Sequence, residues 1–196
     1  PVCIELDMES GESKFLPMKL PNDLWDSGKH EPSFARIFNG KEFIYSWRYY
    51  DKVLVTEDHK HVLKKTVKNN SFDRLKPKPS FTDLLEYVKY LVESPAYLNI
   101  IYDEFNDLYY MFFYPGIEIE AYQDVMKLWD YLPVFSIIIL NSHFEKVGEV
   151  EMPPNTYFVE NYFVNEKGLH LSRNNPMNKN FDENFLSFDV FRPEKE

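Results

Sequence analysis

Between residues 97 and 152 the chain switches four times between a run of β-forming residues and a polar break. The runs are Tyr97-Leu-Asn-Ile-Ile-Tyr-Asp, Leu108-Tyr-Tyr-Met-Phe-Phe-Tyr, Phe135-Ser-Ile-Ile-Ile-Leu and Phe144-Glu-Lys-Val-Gly-Glu-Val. The breaks at 104–107 and 141–143 are too short to hold anything but tight turns, so successive runs must return antiparallel. Only the second connection, an insertion at 116–133, is longer. A chain written this way predicts one four-stranded antiparallel sheet, and the 17 Phe and 14 Tyr favour strands, where flat rings pack on a pleated surface.

The rest of the chain repeats the layout. Residues 33–67 predict a second full sheet: Phe34-Ala-Arg-Ile-Phe, the hairpin signal Asn39-Gly40, Lys41-Glu-Phe-Ile-Tyr-Ser-Trp, Lys52-Val-Leu-Val-Thr and His61-Val-Leu-Lys-Lys-Thr-Val. Residues 1–18 supply an outer hairpin, with Pro17 marking an edge or an end. Residues 156–192 supply three strands, the last at 185–191, and no fourth before Glu196. The stretch 19–32, with Pro21, Gly28 and Pro32, predicts a loop, as do 68–79 and 174–184. Within 80–93 the period changes: Phe81, Leu84, Leu85, Val88, Leu91 and Val92 share a helical face, with Ser80 as cap, Asp83 at the capping-box position and Pro95 beyond the end. A shorter helix is expected near 122–131.

Four-stranded sheets recurring every 40–50 residues mark a β-propeller. The expected architecture is therefore mainly β, with propeller blades of four-stranded antiparallel sheets in a partial six-bladed ring and one inserted helix at about 80–93. Residues 1–196 form a single domain, the C-terminal part of a larger propeller. Its parts are an outer hairpin (1–18), a blade (33–67), a blade with an insertion (97–152) and an incomplete last blade (156–192). That last blade could take a fourth strand from an upstream segment. A start at Pro1 rather than Met points to a processed or excised chain.

A net charge of −10, with scattered acids, gives no basic face for nucleic acid. The single cysteine, Cys3, lies in the apolar run Val2-Cys3-Ile4 and reads as a buried strand residue; one cysteine allows no intrachain disulfide. No stretch is long and apolar enough to be a membrane helix.

Motifs for chemistry are sparse. His59 and His61, beside Glu57 and Asp58, sit at a hairpin turn, where a solvated turn outweighs a metal site; His143 in the matching turn argues for a surface role for all three. The acidic turns at 103–107 and 182–183 lack calcium-loop spacing. There is no Gly-x-Ser-x-Gly elbow or Gly-rich phosphate loop, and the Asn69-Asn70-Ser71 sequon is taken as chance. Trp47, Trp129, Tyr49, Tyr50, Tyr109, Tyr110 and Tyr122 could form a ligand platform but are expected mostly in the core. The innermost strands of the units carry the polar residues Arg36, Asn99, Asp103, Glu160 and Asn161. These are the candidate ligand-binding residues of a central channel, and Arg36 could pair with Asp103 or Glu160 across it. No catalytic residue, metal ligand or cofactor is expected.

The segments Asn99-Ile-Ile-Tyr-Asp, Leu108-Tyr-Tyr-Met-Phe, Phe135-Ser-Ile-Ile-Ile-Leu-Asn with Phe144-Glu-Lys-Val-Gly-Glu, and Gly168-Leu-His-Leu-Ser with Asn174-Asn-Pro resemble a family of uncharacterised Bacteroidetes proteins. The resemblance implies TolB-like six-bladed propeller lipoproteins, this chain being like their C-terminal half. It implies an extracytoplasmic place, in the periplasm or at the outer membrane, with any membrane attachment through a lipid anchor outside this chain. It brings no catalytic residues. The expected function is a non-catalytic module of the bacterial cell envelope that binds a protein, peptide or glycan; the alternative is a propeller hydrolase or lyase acting at the channel with metal assistance.

Overall fold

Thirteen strands, two α-helices and a 3-10 helix make up the computed structural model, which describes residues 2–26, 28, 32–69, 83–120 and 124–193. The strands are β1 (Ile4–Leu6), β2 (Ser13–Phe15), β3 (Phe34–Phe38), β4 (Phe43–Trp47), β5 (Lys52–Thr56), β6 (Leu63–Thr66), β7 (Ala96–Asp103), β8 (Leu108–Tyr114), β9 (Ser136–Asn141), β10 (Lys146–Glu151), β11 (Phe158–Asn165), β12 (Gly168–Ser172) and β13 (Phe188–Phe191). They form four separate antiparallel sheets: β1-β2, β3-β4-β5-β6, β7-β8-β9-β10 and β11-β12-β13. Within each sheet the strands pair in sequence order, most of them across short turns.

The sheets lie face to face, and β8 shows why its sequence is apolar throughout. Side chains alternate across a strand, so a strand covered on both sides needs an unbroken hydrophobic run. Tyr109, Met111 and Phe113 join Ile44, Val53 and Val55 in the core between the second and third sheets. Tyr110, Phe112 and Tyr114 point the other way, to the core shared with Val159, Leu169 and Leu171 of the last sheet. A further core joins Tyr45, Trp47 and Leu54 to Cys3, Met18 and Leu24 from the N-terminal segment. The first strands of successive sheets also meet: β3 lies against β7, and β7 against β11.

Several expectations shift in detail. The predicted loop at 19–32 contains the 3-10 helix Asn22–Trp25, whose Asp23 carboxylate accepts from Tyr50, Lys52 and Lys64. The helix expected at 80–93 is α1 (Leu84–Glu93); Asp83 is its N-cap, accepting from the Glu86 amide, rather than a capping-box partner. Ser80 and Phe81 lie outside the described residues. Val88, Leu91 and Val92 are buried as expected, but Leu84 and Leu85 are exposed, because α2 (Val125–Asp130) faces α1 one turn further on, at Val88 and Val92. The last strand starts at Phe188 rather than at 185, since Phe185 is taken up in a turn on Asp182.

Candidate functional site

The first strands of the three larger sheets, β3, β7 and β11, each lead into a turn through an asparagine or aspartate that folds back on it. Asn39 Oδ1 accepts from the amides of Lys41 and Glu42 at 3.0 and 2.7 Å, Asp103 Oδ1 from those of Phe105 and Asn106 at 3.0 and 3.1 Å, and Asn165 Oδ1 from that of Lys167 at 2.8 Å. Each also holds a ring: Asn39 donates to the Tyr109 hydroxyl (2.7 Å), Asp103 accepts from Tyr110 (3.0 Å), and Asn165 Oδ1 bonds His170 Nε2 (2.9 Å). Short polar side chains bond the backbone two or three residues on, which is why these types close such turns.

Asp103 is therefore a turn anchor. It is fully buried and also accepts from Asn106 Nδ2, so its oxygens are already occupied. Asn99 and Asn161 sit where pairing slips. Leu98 and Asn99 together oppose one position of β8, and Val159, Glu160 and Asn161 are extra residues on β11 relative to β12. The side chains of Asn99, Glu160 and Asn161 form no hydrogen bond or ion pair within the described residues. Arg36 forms no ion pair with Asp103 or Glu160. Ala35 and Ile37 pack towards β7, so alternation turns Arg36 to the opposite face, beside the Tyr45 hydroxyl. The five candidates are not brought together in one place.

What the three strands do build is a cleft of about 430 Å³ at their turn ends, lined by Phe38, Asn39, Tyr102, Glu104, Phe105 and Val164. Phe38 and Phe105 expose about half of their surface there. Sequence reading missed these residues because it searched strand interiors, whereas the turn ends carry the exposed rings.

His59 also differs from expectation. It is 6% exposed, with a positive φ of 60°, and its Nε2 bonds the Tyr45 hydroxyl at 2.8 Å. Burial, with the Arg36 guanidinium second, holds its pKa below the usual 6.5. His61 is exposed and paired with Asp58, and His143 is exposed, as expected of a turn. Of the aromatic candidates, Trp47, Tyr49, Tyr50, Tyr109 and Tyr110 are core residues, Trp129 is half-buried, and Tyr122 lies outside the described residues. Among the described residues no three histidine, cysteine or acidic side chains gather as a metal site.

These features define a mainly β protein built of successive antiparallel meanders. The chain belongs to the family described as a domain of unknown function, DUF4221, whose model matches residues 2–151. A crystal structure of a DUF4221 member from Bacteroides vulgatus is similar over 95% of this chain, with a TM-score of 0.86 and 29% identity. The match covers 53% of that protein, so this chain spans about half the length of its solved relative. Among curated proteins, none matches.

Proposed function

We propose that the chain is part of a TolB-like six-bladed propeller, its C-terminal half, acting as a non-catalytic module that binds a protein, peptide or glycan in the bacterial cell envelope. The observation that carries this reading is the contact of the first strands β3, β7 and β11 beside one another, each leading into a meander stacked on the next. Propellers place the first strand of each blade around a common axis in this way. Ligands of such folds are held where the inner strands end, and the cleft with Phe38, Tyr102 and Phe105 lies at that position. The lipoprotein anchor and the envelope location rest on the family resemblance.

The test is a binding screen of glycans, peptides and envelope proteins against a protein of the solved relative's full length. A saturable partner lost on Phe105→Ala supports the reading. Turnover of a substrate without any stable partner overturns it. A stoichiometric divalent ion in the purified protein would favour the hydrolase or lyase alternative.

A further inference from the structure

The N-terminal hairpin and the β3–β6 sheet enclose a second cleft, of about 560 Å³, on the face to which Arg36 turns. Three carboxylates line it, and each already has a cation. Glu5 pairs with Lys14 (3.0 Å), Glu57 with Lys41 (2.9 Å) and Asp58 with His61 (2.7 Å). Asp58 also accepts from the amides of Lys60 and His61. Arg36 has no such partner among the described residues, in a chain with 32 acidic and 22 basic residues. A guanidinium offers a rigid fork of donors that fits a planar carboxylate.

The wall behind Arg36 carries a second anomaly. The turns after β5 and β9 match: Thr56 Oγ1 accepts from the amide of His59, and Asn141 Oδ1 accepts from those of His143 and Glu145. In these turns His59 and Phe144 hold the same place, with φ of 60° and 61°, and both are buried. The fold asks only for a ring there, which Phe144 supplies by stacking on Tyr109. His59 adds a nitrogen that fixes the Tyr45 hydroxyl, which also accepts from Cys3 Sγ at 3.2 Å. The hydroxyl so fixed stands beside Arg36. Leu16, Pro17 and Phe43 complete the wall with apolar surface.

We infer that this cleft binds a small organic carboxylate, its charged group on Arg36 and its apolar body on Phe43, Leu16 and Pro17. Lys60 also lines the cleft without an ion pair among the described residues, but of the two cations it is the Arg36 guanidinium that stands at the fixed Tyr45 hydroxyl, and the three carboxylates around them oppose a phosphate dianion. The site lies between the hairpin and one sheet, so it does not depend on closure of a propeller ring.

Benzoate is the probe, with benzamide and inorganic phosphate as comparators, followed by calorimetry and by the Arg36 Nε resonance. One saturable benzoate site is expected, moving that resonance. Arg36→Gln should weaken binding by about tenfold or more, the loss of one charged hydrogen-bonding partner, at unchanged melting temperature. Arg36→Lys should recover only part of it. Absence of saturation, equal binding by benzamide or phosphate, or an unaffected Arg36→Gln variant would overturn the assignment.

Discussion

His59 couples one turn to the N-terminal segment through Tyr45 and Cys3, and only its neutral ring can accept from the Tyr45 hydroxyl. Burial and Arg36 lower its folded-state pKa, while the unfolded chain keeps the ordinary 6.5. The stability this group contributes is thus complete above pH 6.5 and is lost as pH falls through the lower folded value. Charges facing His59 come from its own turn (Asp58), the hairpin (Glu5) and β3 (Arg36). The melting temperature of the wild type should therefore drop more steeply on acidification than that of His59→Phe, which keeps the ring; parallel profiles would refute the coupling. Gly168 is constrained differently. It adopts a φ of 122°, and a Cβ there would run into the Phe191 carbonyl. Gly168→Ala should destabilise by more than about 1 kcal/mol, read as a lower denaturant midpoint at constant slope.

At the scale of elements, α1 depends on a single cap. Asp83→Ala removes the acceptor for the Glu86 amide and should cost about 1 kcal/mol, with faster amide exchange confined to the first turn of α1. The strands of residues 33–67 and 97–152 were legible because short β-forming runs separated by polar breaks leave almost no other solution. The face of Arg36 was equally legible, since Ala35 and Ile37 flank it. Its partner was not, because alternation gives a direction and never a distance. Asp103 looked like a ligand because an acid ended an apolar strand. The usable signal was that Asn39 and Asn165 end the corresponding strands, which marks a turn cap. The slips in β7 and β11 left no trace, since extra residues in a bulge keep the composition of a strand. His59 was misread because its turn was taken as solvated throughout, whereas the ring is buried against the Tyr45 hydroxyl.

For the whole molecule, the repeated stacking leaves two apolar faces over. Ile4 and Phe15 stand opposite each other on the hairpin, with Leu6 on the same side, and all three are exposed. At the other end Phe163 and Val190 flank His170 on the open face of the last sheet, and both are exposed. On the propeller reading, further sheets of a longer protein cover both faces. A version matching the solved relative in length should bind less hydrophobic dye per residue and melt higher than residues 1–196 alone; equal dye binding would count against it. The meander order has another consequence. Each strand pairs with one next to it in sequence and, apart from the connections across 115–135 and 173–187, the loops that pairing must close are short, so folding is fast for a β protein. On the ribosome each sheet can complete before the next has emerged, and an interruption of synthesis leaves finished sheets intact with only the last one frayed.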